Sequence, residues 1–235
     1  MKKTKLIITV LAFVSIFSLT ACNGIEAPPD PQSAPDAVTP AIEPEIPEAP
    51  ETFEAPETFE VSENNSNIAL LIIDIQNDYF EGGLHELYNP LDALSNAEYI
   101  LNEFRARGLP VIHVQHLNNS GFFEEGTFGA QIHENLTPLE DEILIIKRQV
   151  SSFAGTELEE ILRENNIETL LICGMQTNVC VATTSRNAKE LDFQVIVLED
   201  ACAALSLEIH ETAIESLRGG YAEIIKTSDF ETVQS

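Results

Sequence analysis

Six short runs of nearly uninterrupted apolar residues, at 68–75, 110–116, 142–147, 169–173, 194–198 and 222–226, leave this chain few ways to fold. A strand with one wet face alternates polar and apolar residues, whereas a strand buried on both faces reads as a continuous apolar run. Helical stretches separate these runs. They span 90–107, opened by Pro90 and closed by Gly108, then 156–165, 179–191, and 205–218, closed by Gly219 and Gly220. Proline just inside a start and glycine just past an end are the expected punctuation of helices. Buried strands joined by helical crossovers predict an α/β domain, a three-layer α/β/α stack around a doubly wound, parallel six-stranded sheet. The segment 117–141 breaks this rhythm, carrying Phe122, Phe123 and Phe128 among glycines. A segment of that length without its own secondary structure is usually functional.

Three of the runs end on a reactive side chain or lead into one. LLIIDIQNDYF at 70–80 offers the carboxylate of Asp74, LIIKRQVSSFAGT at 144–156 the ammonium of Lys147, and CGMQTNVCVATTSR at 173–186 the thiol of Cys180. In an open parallel sheet, sites form beyond the carboxyl ends of the strands, where the strand order reverses. All three residues fall on that edge. A base, a cation and a sulfur nucleophile are the parts needed for acyl transfer from an amide. Singly, the aspartate would be a turn cap, the lysine a surface charge and the cysteine a buried helix residue; together on one edge they point to a site. Asp78 reads as a structural cap, and Arg186 as a helix residue turned away from the chemistry. Tyr79, Phe80 and Phe153 either line the pocket or pack beneath it, and His116 joins them as a pocket residue.

The first 66 residues have another character. Residues 1–21 begin with three lysines, continue as an apolar or hydroxylic run from Leu6 to Leu19, and end in Leu-Thr-Ala before Cys22. This is the build of an export signal, too short for a comfortable spanning helix. It resembles the bacterial lipoprotein signal, which implies cleavage before Cys22, lipidation of that cysteine and an exported protein anchored to the bacterial membrane. Residues 22–66 then form a tether. Nine of the twelve prolines lie between Pro28 and Pro56, APETFE occurs twice in tandem, and from 23 to 63 there are eleven acidic residues and no basic ones. Such a segment buries too little apolar surface to fold. Residues 67–235 form the folded domain. From residue 64 onward, 28 acidic and 9 basic side chains leave a charge of −19. A surface this negative repels nucleic acid and anionic headgroups, so membrane attachment rests on the acyl chains of Cys22. The domain's three cysteines, Cys173, Cys180 and Cys202, cannot all pair. A Cys173–Cys202 disulfide stays open, and no zinc-type Cys/His spacing is present.

The motifs Asp-Ile-Gln-Asn-Asp-Tyr-Phe at 74–80, Lys147 followed by Ser-Phe-Ala-Gly-Thr at 152–156, and Gly-Met-Gln-Thr-Asn-Val-Cys-Val at 174–181 jointly resemble the isochorismatase-like cysteine hydrolase superfamily. That superfamily includes nicotinamidases, ureido amidohydrolases and isochorismatases. The resemblance covers essentially all of 67–232. It implies a strand order of 3-2-1-4-5-6, Asp74 as base, Lys147 as its charge partner and Cys180 as nucleophile. It also implies a cis bond between Met175 and Gln176 and an oxyanion hole from the amides of Gln176 and Cys180. The positive end of the helix carrying Cys180 is expected to lower its pKa. The nicotinamidase branch binds a metal through an Asp-x-His followed by a further histidine. Here His113 and His116 stand three apart, which on a strand points the rings to opposite faces. The expectation is therefore a site without cofactor or metal, taking a small-molecule amide or ureide through a thioester acyl-enzyme. The alternatives are a vinyl-ether hydrolase of the isochorismatase kind and a ligand-binding lipoprotein on the same scaffold. Whether the chain acts alone or as a homo-oligomer is left open.

Overall fold

The computed structural model describes residues 67–230. The signal-type stretch 1–21, the lipidation site Cys22, the tether 22–66 and the end of the chain at 231–235 lie outside the described residues. Within them the strands are β1 (Ile68–Ile73), β2 (Val111–His116), β3 (Ile143–Lys147), β4 (Thr169–Met175), β5 (Gln194–Ala203) and β6 (Glu223–Ile225). The helices are α1 (Pro90–Arg107), α2 (Leu158–Glu164), α3 (Ala182–Glu190) and α4 (Leu207–Arg218). All strand pairs are parallel, in the order β3-β2-β1-β4-β5-β6. The doubly wound sheet is thus as the sequence implies.

The two directions of winding put the crossovers on opposite faces, because parallel crossovers are right-handed. On one face, alternate residues of β1 (Ile68, Leu70, Ile72) pack with α1 through Leu94, Ala97, Ile100, Leu101 and Phe104. The same face is completed by Leu117, Phe123, Ala130 and Leu136, so the long segment between β2 and β3 stands where a second helix would be. On the other face, Ala69, Leu71 and Ile73 pack with Leu158 and Leu162 of α2, Ala188 of α3, and Ile214 and Leu217 of α4. α1 ends at Gly108, whose φ of 64° is the left-handed conformation that suits glycine at a helix end. Ser206 caps α4, its side chain accepting from the amide of Ile209.

The order reverses between β1 and β4, and the two strands come together closely at their carboxyl ends. Gly174 has φ +142°, and a Cβ there would sit 2.2 Å from the carbonyl oxygen of Ile73. Only glycine fits. Cys173 packs in the α1 layer and Cys202 in the opposite layer, and both are free, so the disulfide left open by the sequence does not form.

Gly174→Ala is expected to destabilise the domain by on the order of 3 kcal/mol, combining a disallowed backbone conformation with a clash against main chain. Thermal or denaturant unfolding of the variant measures this. Wild-type stability would mean that β1 and β4 can separate without cost.

Candidate active site

Asp74 is the first residue past β1, and it turns out of the strand with φ +52°, an uncommon conformation for a non-glycine residue. Its side chain is fully buried. Lys147 is the last residue of β3, two strands away. Its side chain crosses the end of β2 and places Nζ 2.8 Å from Asp74 Oδ2, with both side chains excluded from solvent. The ammonium also donates to the carbonyls of Gln149 (3.1 Å) and Val150 (2.8 Å). An ammonium has three hydrogens to donate, and here each has a partner. Burial raises the Asp74 carboxyl to about 6, against the opposing pull of Lys147. Among the described residues, the only donors that bear on the Asp74 carboxylate are the Lys147 ammonium and the Cys180 thiol.

Cys180 lies in a π-helical turn, Thr177–Val181, between β4 and α3, rather than in the regular helix from 179 onward that the sequence predicts. The turn follows a cis peptide bond between Met175 and Gln176, as the resemblance implies. The Cys180 Sγ, an Asp74 oxygen and a ring nitrogen of His116 all lie within 4.8 Å of one another. Burial first, then the Asp74 carboxylate, pushes the Cys180 thiol up to about 12. This reverses the expectation of a helix-lowered thiol. The partial charge at a helix end is about half a unit and is felt only within the first turn, whereas Asp74 presents a full charge at closer range in a dry site. Cys180 therefore rests protonated. His116 is neutral: burial, then the nearby Lys147, lowers it to about 4.

The Gln-Asn-Asp run after Ile75 fastens the long segment over this centre. Gln76 exchanges two hydrogen bonds with the backbone of His116, at 2.8 and 2.9 Å, and donates to the Ala130 carbonyl at 2.7 Å. Asn77 donates to the carbonyls of Gln131 and Phe128. Asp78 accepts from the amides of Phe123 (2.7 Å) and Leu84 (3.2 Å). Gly129 lies so close that a Cβ would meet the Asp78 carboxylate at 2.2 Å. Asp78 thus holds a loop, in keeping with its reading as structural. Gln76 is not singled out as a site residue by the sequence, because its side-chain partners His116 and Ala130 lie 40 and 54 residues away; nor is Phe123, whose amide partner Asp78 is 45 residues away.

Of the pocket candidates, Tyr79 and His116 are at the centre. The Tyr79 ring meets Phe123 at 5.0 Å and Phe122 at 5.3 Å, and Phe123 lies 5.8 Å from His116. The Tyr79 hydroxyl is pushed up by burial and then by Asp74 and Cys180, and it meets the Gln176 side chain. Phe80 and Phe153 are spent on packing: Phe80 against His133 at 4.5 Å, Phe153 on Phe193 at 6.2 Å. Arg186 donates to Ser216 and lies over the Tyr221 ring, away from Cys180. A cleft of about 520 Å³ between α3 and α4, lined by Asn178, Arg186 and Glu208 among others, is not lined by Cys180.

The metal set of the nicotinamidase branch does not fit these residues. His113 turns away and pairs with Glu142 at 2.9 Å, and Glu142 in turn is held by Arg105. His116 alone of the two faces Asp74. The ammonium of Lys147, 2.8 Å from the Asp74 carboxylate, further opposes a cation there.

A conserved-domain comparison matches residues 68–229 to the isochorismatase domain. An isochorismatase family protein of Bacillus subtilis, YddQ, is 41% identical over 175 residues, covering 69% of this chain and 97% of its own. The ureidoacrylate amidohydrolase RutB of Agrobacterium fabrum is 26% identical over 202 residues, covering 70% of this chain and 89% of its own. The crystal structure of an isochorismatase hydrolase from Oleispira antarctica superposes with a TM-score of 0.68 at 32% identity, covering 73% of this chain and 99% of that one. A doubly wound sheet with a buried carboxylate, ammonium and thiol at its switch point is a hydrolase scaffold. The chain belongs to the isochorismatase family.

Because the Asp74 charge raises the Cys180 thiol, Asp74→Asn is expected to lower its pKa. The measurement is the pH dependence of Cys180 alkylation by iodoacetamide, followed by mass. The midpoint should move to lower pH in the variant. A midpoint that moved upward would show that Asp74 stabilises the thiolate instead.

Proposed function

We propose that the chain is a cysteine amidohydrolase that cleaves the C–N bond of a small amide. The observation that carries this reading is an Asp74 carboxylate paired with Lys147 at 2.8 Å and set beside the Cys180 thiol. The kinship with a ureidoacrylate amidohydrolase is in the same direction.

The reaction follows from the protonation states. As Cys180 Sγ attacks the amide carbon, its proton passes to Asp74, whose raised basicity suits it to accept one near neutral pH. The carbonyl electron pair moves onto oxygen, where the backbone amides of Gln176 and Cys180 form the oxyanion hole. Asp74 returns the proton to the departing nitrogen, and a thioester is left on Cys180. Water then gives a proton to Asp74 as its oxygen attacks the thioester, and the acid is released with the thiol restored. Lys147 keeps Asp74 ionisable inside the protein: without the cation, burial would raise the carboxyl still further.

We propose, too, that residues 1–21 export the protein and that lipidated Cys22 anchors it outside the cytoplasm. Cys22→Ala should move the protein from the membrane fraction to the soluble fraction. Recovery of the unmodified, uncleaved wild-type chain from the cytoplasm would refute the anchor.

Cys180→Ala should reduce amide hydrolysis by on the order of 10³-fold or more with the fold intact, as judged by circular dichroism. In the wild type, kcat/KM should rise with pH through about 6, because only the ionised Asp74 can accept a proton. No descending limb should appear at moderately alkaline pH, since the thiol titrates only at about 12. Substantial activity in Cys180→Ala, or a rate highest below pH 5, would sink the covalent mechanism.

A further inference from the structure

α4 buries Ala213, Ile214 and Leu217, and His210 stands on the same stripe, one turn ahead of Ile214 and two ahead of Leu217. An apolar side chain would cost least at such a position. His210 instead turns its half-buried ring to the π-helical turn that carries Cys180, where Nδ1 and Thr177 Oγ1 share a hydrogen bond of 2.9 Å. Thr177 is fully buried, and a buried hydroxyl without a partner is costly, so each side chain meets the need of the other. Burial lowers the His210 pKa, against the opposing effects of Glu199 and Glu211. The ring is therefore neutral and acts by its hydrogen bond, not by charge.

Thr177 opens the turn, directly after Gln176. A π-helical turn is wider than an α-helical one, and it is found mostly at functional sites. Here the Val181 amide donates to the Gln176 carbonyl at 3.2 Å, and the Ala182 amide to that of Thr177. Packing does little to hold the turn on its α4 side. The cleft of about 520 Å³ beside it is lined by Asn178 of the turn and by Ile209 and Thr212, which flank His210 on α4. Among the described residues, two side-chain hydrogen bonds link α4 to the turn and to α3: His210 with Thr177, and Arg186 donating to Ser216 farther from Cys180. We propose that His210 is a positioning residue: through Thr177 it holds the turn in the wide form that keeps the Cys180 thiol beside Asp74. In a narrower turn, Sγ and the amides of Gln176 and Cys180 would swing out of line, and displacement by about an ångström is enough to cost much of the rate. This proposal rests on the reading of Cys180 as the nucleophile and adds to it a residue from a helix that holds none of the three reactive side chains.

Iodoacetamide tests it on the thiol itself. After burial, the Asp74 carboxylate is what raises the Cys180 thiol. Letting the thiol move off Asp74 in His210→Ala should therefore shift the pH midpoint of alkylation downward, speeding the reaction near neutral pH by about tenfold. Thr177→Val should act alike, and it carries the same comparison if His210→Ala does not fold. His210→Asn, whose side-chain amide reaches where Nδ1 lies, should restore the wild-type midpoint. On an Asp74→Asn background, where the charge is already gone, His210→Ala should add no further shift. A histidine that only stabilised the fold would lower the unfolding temperature and leave all these midpoints alike. A wild-type midpoint in the folded variants, or an equal shift with Asp74→Asn present, overturns the proposal. Absence of hydrolysis from every amide would overturn the amidohydrolase reading alone, because alkylation reads the thiol and not turnover.

Discussion

Everything at the carboxyl edge of this sheet is arranged around one buried ion pair, Asp74 with Lys147. The two residues come from strands separated by β2, so the pair can form only when β1, β2 and β3 are all in register. Neither charge could be buried alone. A lone carboxylate or ammonium in the interior would neutralise itself by shifting its pKa, and removing one partner strands the other. Lys147 is therefore fixed by three acceptors, and Asp74 keeps an oxygen for chemistry because its electrostatic debt is met from one side. The raised pKa of Asp74 has a sign worth following. The native state holds a proton on Asp74 more tightly than the unfolded chain does, so this group's contribution to stability is present below about pH 4 and is lost as pH rises through about 6. The ionised form, which can accept a proton, is the less stable one. Reactivity here is set against stability, and the packed layers on both faces of the sheet supply the difference.

The second dependency is the contact between β1 and β4. Gly174 lets the strands approach at the point where Asp74 leaves one and the turn bearing Cys180 leaves the other. The long segment between β2 and β3 then closes over the pair. It does so without a helix of its own, held instead by Gln76, Asn77 and Asp78 from the turn directly after Asp74. One short motif thus carries both the base and the fasteners of the cover above it, and neither can shift without the other.

Strand and helix positions were legible in the sequence because periodicity is local: α1 runs from Pro90 to Arg107 as its proline and glycine predict. Where the reading fell short, the deciding partner was distant. β5 continues to Ala203, past Glu199 and Asp200, which end the apolar run at 198. Asp200 is tolerated in the strand because its carboxylate accepts from the amide and hydroxyl of Thr227, while its carbonyl takes Asn96. Nothing near residue 200 announces those partners. The carboxylate, ammonium and thiol at this edge could be named from motifs, but the protonation state of Cys180 could not. A helix start argues for a low pKa, and only the depth of burial and the nearness of Asp74 reverse it. Likewise, Tyr79 and Phe80 are adjacent aromatics of the same motif, yet only Tyr79 is turned to the centre.

Charge placement follows from the fold. The domain carries −19, and its few cations are drawn to helix C-termini by the peptide dipoles. In this topology those termini all face away from the site. The same rule that stabilises each helix therefore holds five of the nine cations of the described residues at the amino edge. At the carboxyl edge stand Lys147, committed to Asp74, Arg148, paired with Glu125, and Lys226 just past β6. The helix N-termini, whose dipoles carry the positive end, face the carboxyl edge instead, and there they take the place of basic side chains.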